Sequence, residues 1–452
     1  MTRKSGSFWG TMLSIAIPVT LQNLLFSSFT LIDTLMIGRL GDTPLAAVGM
    51  AGKWTWFFDI ALFGFTSGAA VFIAQFFGAH DERGIHRTHG LMTLFVLAAS
   101  LIFLLAGVFI PETITGLFTR DHEARQIAAS YLRIVALCYP FQALSKAGGT
   151  LLQSTQRVSI PFVGAACSVV TNIVLNAVLI FGLLGFPALG VQGAAIASAI
   201  AAVVNCAVIY GTALARGTLM RASVRELLDF DARFVRGYLK VGMPAMLNET
   251  IWALGNLVYS AIYGHMGTGA YAAITVVKSI EDLTSVAILG ICSSCAVMIG
   301  SYVGRGEIER AKACARRHLL LSIAFSMVIG GGVLLLRTRI ISLFGVSDAV
   351  RADALRVMCI YALEMPLRSL PLMLVVGTFR AGGDTRFGLI VDTLTAYLIG
   401  IPLTALTGLW LHAGVATTYL VMYLLEDVPK VVIYGLHFLS GKWIRPVTAK
   451  AP

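Results

Sequence analysis

Apolar runs of roughly 20 residues recur from one end of the chain to the other, and a run of this length crosses a bilayer as an α-helix. A helix satisfies its own backbone polar groups in hydrocarbon. The composition agrees, because 57% of the 452 residues are hydrophobic and only 13% are charged, about half the charged fraction of a soluble protein. A membrane β-barrel would instead show short segments of alternating hydrophobicity. The sequence therefore predicts an all-α polytopic membrane protein.

These apolar runs predict about 12 membrane-spanning helices. The predicted ranges are 12–37, 46–77, 89–112, 127–154, 159–183, 188–213, 239–264, 270–303, 316–336, 350–380, 385–409 and 413–438. The first run follows a basic N-terminal stretch, as in a signal peptide, but it continues to Ile37 without a small-residue cleavage site. We therefore expect it to remain as the first span.

The basic residues between the spans are distributed unevenly. If the N-terminus is cytoplasmic, 21 Lys and Arg residues fall on the cytoplasmic side and 5 on the other. The positive-inside rule then places both termini in the cytoplasm. The net charge of +11 does not indicate nucleic acid binding, because it is spread over short loops. The longest cytoplasmic loop (216–240) is predicted to be an amphipathic linker at the membrane surface.

The two halves of the chain resemble each other. From Leu13 to Gly78 they align without a gap at a constant offset of 226, so that Pro18 meets Pro244 and Gly38 meets Gly264. Each half holds six spans, an even number, so both copies enter the membrane in the same direction and are related by an axis along the membrane normal. Such parallel repeats are a transporter architecture, whereas a channel would need a filter-like loop. The predicted domains are an N-lobe (1–213), a linker (214–238) and a C-lobe (239–452).

Several stretches, taken in order, resemble the multidrug and toxic compound extrusion (MATE) family across nearly the whole chain. They are "IPVTLQNLLFSSFTLIDTLMIGRLG" in the first span, "TNIVLNAVLIFG" and "GVQGAAIAS" in spans five and six, "GTFRAGGDTRFG" after span ten and "SGKW" after span twelve. One departure is "LQSTQRVSIP" at the end of span four, where the family usually has glycines, so we expect a differently shaped loop there.

The resemblance implies a bacterial inner-membrane antiporter. Such a protein expels organic cations or other amphipathic compounds while H⁺ or Na⁺ enters, and access alternates as the two lobes rock. The expected partners are these small substrates and the lipid bilayer. We expect a monomer that needs no cofactor beyond the coupling ion.

Asp33 is the only charged residue in the stretch "LLFSSFTLIDTLMIG" (24–38). A lone carboxylate in hydrocarbon is costly unless it is paired, hydrated or protonated. Asn172 and Asn176 lie at similar predicted depth in span five, and their i,i+4 spacing puts both on one helix face. We therefore expect this face to point toward Asp33. In the MATE resemblance, Asp33 matches the first-span acid of the N-lobe and the two Asn match the polar pair on span five.

Either coupling ion suits this chemistry. A desolvated carboxylate without a cation partner takes up a proton readily, and the same carboxylate with two amide oxygens begins a Na⁺ site. Na⁺ would need further oxygen ligands, for which Thr30 and Ser198 are candidates. The alternative is that Asp33, Asn172 and Asn176 only connect helices through hydrogen bonds.

Pro18 lies inside the first span, 15 residues before Asp33. A proline in a helix frees a carbonyl and permits a kink. The resemblance implies that this span bends as the N-lobe site changes state, so Pro18 is a candidate hinge. A fixed kink is the alternative.

The C-terminal half places its acids elsewhere, since the repeat mate of Asp33 is Tyr259. Four acids fall near the predicted midplane, and we predict that they form a second site for a coupling ion or cationic substrate. They are Glu249, Glu281, Asp282 and Glu364, and Tyr259 is a further candidate for this site. A structural ion-pair network is the alternative, because Lys278 and Arg368 are close in sequence.

Two further groups of charged residues are expected to be structural. Glu426, Asp427 and Lys430 are predicted to pair locally in span twelve. Asp392 is predicted to pair with Arg380 or Arg386.

Enzyme signatures are missing from the sequence. "AGKW" and "SGKW" lack the pattern of a phosphate-binding loop, and there is no HExxH motif or His/Cys cluster with metal-ligand spacing. "HDERGIHRTH" (80–89) is expected to be a solvated cytoplasmic loop, and the Cys292–Cys295 spacing is expected to reflect packing. We therefore do not expect an enzyme.

The alternative to a drug exporter is a flippase for a lipid-linked or oligosaccharide substrate, built from the same two halves. Such a protein would more often have a cationic central cavity. Acids outnumber bases at the predicted midplane, which favours a cationic substrate.

Overall fold

The computed structural model describes residues 7–119 and 121–447, where the regular structure is helical and no β-strand is found. Four basic residues of the charge count lie outside the described residues: Arg3, Lys4, Arg120 and Lys450. Along the described residues, twelve long helical segments coincide with the twelve predicted spans. They are α1 (Phe8–Gly38), α2 (Asp42–Ala79), α3 (Glu82–Phe109), α4 (His122–Ala136 and Tyr139–Ser154), α5 (Ser159–Phe181), α6 (Val191–Ala215), α7 (Ala232–Met266), α8 (Thr268–Gly304), α9 (Ile308–Ser342), α10 (Asp348–Gly382), α11 (Thr385–Trp410) and α12 (Val415–Ser440). Short helices cover Pro111–Gly116, Leu183–Gly185 and Val224–Leu227.

Helix α4 differs from its prediction as one continuous helix over 127–154. Its two segments meet at an angle of 50°. Pro140 lies in the first turn of the second segment, where it has no N–H to donate to the preceding turn. The loop after α4 also has an unusual backbone, because Gln156 adopts a φ of 60°, in the region that glycine favours.

Length and hydropathy identify most of these helices as membrane spans. Nine helices among the described residues are long and apolar enough to cross a bilayer, or ten if the two segments of α4 count as one span. Helices α7 and α12 are the remaining two, and both carry buried polar or charged residues described below. The prediction of an all-α polytopic membrane protein is confirmed.

Internal contacts divide the chain into two compact units. One unit is Ile17–Gly242, and the other combines the described residues before Ile17 with those from Met243 onward. One boundary lies within α1, between Ala16 and Ile17, and the other lies within α7, between Gly242 and Met243. A proline, Pro18 or Pro244, is the second residue after each boundary. The predicted linker groups with the first unit, and the predicted lobe ranges 1–213 and 239–452 stay predictions.

Within the unit Ile17–Gly242, the linker packs on the start of α3. The Arg83 side chain lies 2.7 Å from Asp229, and this hydrogen bond lowers the pKa of Asp229. A Cβ atom on Gly90 would lie 1.8 Å from the carbonyl oxygen of Leu227, so only glycine permits this approach. The Arg87 guanidinium lies over the Phe234 ring, with its Cζ atom 4.6 Å from the ring centroid.

The expectation that residues 80–89 form a solvated loop is wrong. Helix α3 begins at Glu82, seven residues before the predicted start, and the Asp81 carboxylate caps it by accepting a hydrogen bond from the Gly84 N–H at 2.9 Å. His86 and His89 therefore lie on a packed helix and are 8% and 4% exposed.

Candidate functional site

The predicted polar cluster of the first half is present. The Asn176 Nδ2 amide donates to Asp33 Oδ1 at 2.7 Å and to Asn172 Oδ1 at 2.8 Å. The Asn172 Nδ2 amide donates to Ser198 Oγ at 3.2 Å. Both Asn side chains are buried. Helices α1, α5 and α6 are thus joined through one ionisable side chain, Asp33.

Close helix packing positions these side chains. Asn172 and Asn176 occupy one face of α5 because they are four residues apart. Helix α6 approaches α5 so closely that a Cβ on Gly193 would lie 2.5 Å from the Leu179 carbonyl oxygen. Small residues at a helix interface allow this approach. Ser198 is thereby placed within hydrogen-bonding distance of Asn172.

Thr30 and Tyr131 differ from what the sequence suggested. The Thr30 hydroxyl donates to the Phe26 carbonyl of its own helix at 3.1 Å, so this bond holds it on α1. Tyr131 of α4 is buried and interacts with Ser198 and Asp33, which the sequence analysis missed. Its only sequence signal was a phenolic hydroxyl within a span.

One amide oxygen of the cluster is not satisfied. Asn176 Oδ1 is buried and accepts no hydrogen bond, while its Nδ2 faces Asp33. The three predicted Na⁺ ligands therefore do not direct all their oxygens at one point. Asp33 Oδ1 and Asn172 Oδ1 both accept from the Asn176 amide instead. This arrangement suits a carboxylate that gains and loses a proton, because protonation would turn an acceptor into a donor.

The four acids predicted as a second site lie in different environments. Glu281 is 5% exposed and forms ion pairs with Arg368 and with Lys278, whose Nζ is 3.1 Å away. Asp282 also approaches Lys278, at 3.4 Å. These two acids are therefore neutralised locally, as the structural alternative anticipated.

Glu249 belongs to a different ion pair. It binds the buried guanidinium of Arg380, which also donates to Asn248 Oδ1 at 2.7 Å. Asn248 in turn donates to Asp392 Oδ2 at 2.9 Å. Asp392, which was expected to pair with Arg380 or Arg386, is linked to Arg380 through Asn248. Arg380 is buried against α7.

Lys430 completes this network. Its Nζ donates to Glu426 at 2.6 Å, which confirms the predicted local pair, and lies 3.5 Å from Asp392. Tyr259, the repeat mate of Asp33, donates to the other oxygen of Glu426. The polar network therefore connects α7, α10, α11 and α12. The sequence indicated its members but not their connections.

Glu364 stands apart from these ion pairs. Both of its carboxylate oxygens are buried and have no hydrogen-bond partner. Asp427 and Arg368 are the charged groups that act on it electrostatically. Of the four predicted acids, Glu364 is the one that no neighbouring cation neutralises directly. The sequence could not separate it from the other three.

Known proteins resemble this chain over almost its full length. The probable multidrug resistance protein YoeA of Bacillus subtilis is 26% identical to this chain, over 88% of this chain and 86% of its own length. A probable multidrug resistance protein NorM of Thermotoga maritima is 22% identical over 96% of this chain and 92% of its own. The crystal structure of a MATE protein in the straight conformation superimposes with a TM-score of 0.87 at 18% identity, covering 97% of each chain.

The fold of that structure has 12 helices in two lobes, as the sequence predicted here. The sequence model of the MatE family matches residues 18–178 and 244–406, one stretch in each half of the chain. These stretches include most of the residues described above, from Asp33 to Arg380. The chain belongs to the MatE family of membrane transporters.

Proposed function

We propose that this protein is a secondary active antiporter that exports organic cations or other amphipathic compounds in exchange for protons bound at Asp33. The observation that carries the proposal is the hydrogen-bonded cluster of Asp33, Asn176, Asn172 and Ser198, in which Asp33 is the one carboxylate. Relatives named as multidrug resistance proteins support the substrate class. The flippase alternative is not favoured, since these relatives are named as probable multidrug resistance proteins.

The proposed coupling step is a rearrangement of hydrogen bonds. Ionised Asp33 accepts from Asn176 Nδ2, while Asn176 Oδ1 lacks a donor. Protonated Asp33 can donate, and a half-turn of the Asn176 amide would bring Oδ1 to face it. That turn also redirects the bond from Asn176 Nδ2 to Asn172. Proton binding would then change how α1 is tied to α5.

Protons fit this cluster better than Na⁺. A Na⁺ ion needs several oxygen ligands without intervening donors. Here the Asn176 NH₂ group lies between Asp33 Oδ1 and Asn172 Oδ1. Binding Na⁺ at Asp33, Asn172 and Asn176 would require the amide to turn away first.

Pro18 supplies the proposed hinge. It lies in α1 beside the division between the two units, about four turns before Asp33. The missing backbone hydrogen bond at a proline weakens a helix locally. A change of hydrogen bonding at Asp33 would therefore act on a helix that can bend at Pro18.

The proposed setting follows from the family and the charge count. We place the protein in the bacterial inner membrane with both termini in the cytoplasm, as a monomer in contact with the bilayer. Apart from the coupling ion and the small amphipathic substrate, the proposed cycle needs no cofactor.

The function is tested with purified protein in vesicles that contain a fluorescent organic cation. A pH gradient alone should drive its efflux, and a Na⁺ gradient at equal pH should not. A protonophore should abolish the pH-driven flux, and vesicles without protein give the background. Efflux that follows the Na⁺ gradient would refute proton coupling, and no coupled efflux under either gradient would refute the antiporter itself.

Glu364 is proposed as a second coupling acid. We expect Glu364→Gln to slow pH-driven efflux several-fold and to flatten its pH dependence, because no hydrogen-bond donor or directly paired cation holds this buried carboxylate. Glu249→Gln is the comparison, since it breaks a buried ion pair and should instead lower thermal stability. If Glu364→Gln transports as the wild type does at every pH, the second-site proposal is wrong.

A further inference from the structure

Asp59 and Lys146 are charged residues in the spans of the unit Ile17–Gly242 that have no role in the cluster above. Asp59 lies near the middle of α2, and Lys146 lies in the second segment of α4. Both side chains are exposed. Because charged groups in membrane helices face cavities or protein rather than hydrocarbon, their exposure marks a water-accessible face of these helices.

The packing of α2 on α4 fixes the direction of this face. Thr55 Oγ1 and Tyr139 OH lie 3.0 Å apart, and the Phe58 and Tyr139 rings lie 4.4 Å apart. Phe58 is fully buried, and the next residue, Asp59, points about 100° away around the helix. Helices α2 and α4 are thus joined on the side of Phe58, which leaves Asp59 accessible.

Aromatic side chains accompany the two charges. Trp56, Asp59 and Phe63 follow the i, i+3, i+7 spacing that places residues on one helix face. Trp56 is 38% exposed. The Lys146 ammonium lies 5.9 Å from the centre of the Phe63 ring. One surface therefore presents a carboxylate, an ammonium group and two aromatic rings.

The two charges do not cancel by direct contact. Asp59 and Lys146 interact electrostatically, but no ion pair within 4.0 Å joins them among the described residues. A ligand with only one charge would leave the other group uncompensated. A ligand that carries both an ammonium and a carboxylate group would neutralise both residues, one on α2 and the other on α4.

We infer that the face formed by Trp56, Asp59, Phe63 and Lys146 binds amphipathic zwitterions. The ligand ammonium would bind Asp59 and the Trp56 ring, and the ligand carboxylate would bind Lys146. This inference rests on the proposed export of amphipathic compounds and narrows its substrate class. In this scheme Asp59 and Lys146 bind the substrate, and Asp33 binds the coupling proton.

Equilibrium binding to the purified full-length protein tests this inference without any ion gradient. The probes are a zwitterionic fluoroquinolone, which carries a piperazinium and a carboxylate, and its methyl ester, which keeps only the cation. Lys146→Gln should weaken binding of the acid about tenfold and leave the ester unchanged. Asp59→Asn should weaken both probes about tenfold, the loss expected for one charged hydrogen bond.

Lys240→Gln is the matched control, because it removes one exposed lysine from the first turns of α7 in the same unit. This variant should bind both probes within twofold of the wild type. Equal losses for acid and ester in Lys146→Gln, wild-type binding by Asp59→Asn and Lys146→Gln, or no binding of either probe by the wild type would each overturn the inference. Intact binding without coupled efflux would instead refute the antiporter proposal alone.

Discussion

Asp33→Asn should reduce proton-driven efflux to the background of protein-free vesicles while the protein remains folded. Asparagine has nearly the shape of aspartate, and its oxygen can still accept the hydrogen bond from Asn176 Nδ2. It cannot bind or release a proton in the working pH range. The variant therefore removes the ionisable group from the cluster and leaves the packing of α1, α5 and α6 in place.

The comparison variant is Asp42→Asn, which removes an exposed carboxylate from the first turn of α2. It should transport at the wild-type rate. Substrate exchange without a pH gradient, with labelled substrate on one side, separates coupling from translocation, and thermal unfolding checks that Asp33→Asn is folded. Wild-type efflux by Asp33→Asn under a pH gradient would remove Asp33 from the mechanism.

The spans could be predicted well because a bilayer imposes one strong condition on the sequence. Each crossing needs a long apolar helix, so hydropathy locates most of the spans, whereas α7 and α12 carry more polar residues and stand out less. Helix ends were less predictable. The start of α3 at Glu82 depends on the Asp81 cap and on packing against the linker, and the charged sequence "HDERGIHRTH" suggested solvent instead.

The cluster in the first half was predictable because few residues could take part. Asp33 had no cation nearby in sequence, and the spacing of Asn172 and Asn176 defined one face of α5. The helices of a six-span half bring that face to α1, where Asn176 contacts Asp33 as predicted. Ser198, predicted as a further Na⁺ ligand, accepts a hydrogen bond from Asn172. The orientation of the Asn176 amide, which bears on the choice of ion, is a tertiary detail that spacing does not encode.

The second half was less predictable because it holds many charges, and a sequence does not state which charges meet. Arg380 is the last residue of predicted span ten and was counted among the cytoplasmic charges, yet it is buried against Glu249 and Asn248. Glu364 seemed equivalent to Glu281, yet only Glu281 has cationic partners. The rotation of each helix about its own axis and its depth in the membrane decide which charges pair. A hydropathy profile gives neither the rotation nor the depth.

Lys430→Met should destabilise the unit that includes the residues from Met243 onward. The expected loss is about 3–5 kcal/mol, the usual cost of removing one partner from a buried ion pair. Lys430 is 7% exposed, and its ammonium lies between Glu426 at 2.6 Å and Asp392 at 3.5 Å. Methionine fills a similar volume, so the main loss is charge. Two partly buried carboxylates, Glu426 and Asp392, would then lie near each other without the cation that they share.

Thermal unfolding in detergent measures this loss, with Lys312→Met as the control. Lys312 pairs with Glu309 on an exposed surface of α9, where such a pair contributes about 0–1 kcal/mol. If both lysine variants unfold at the same temperature, the network does not stabilise the unit. If charge is the cause, neutralising the carboxylates in the triple variant Lys430→Met, Glu426→Gln, Asp392→Asn should recover part of the loss, whereas a packing defect at Lys430 would persist.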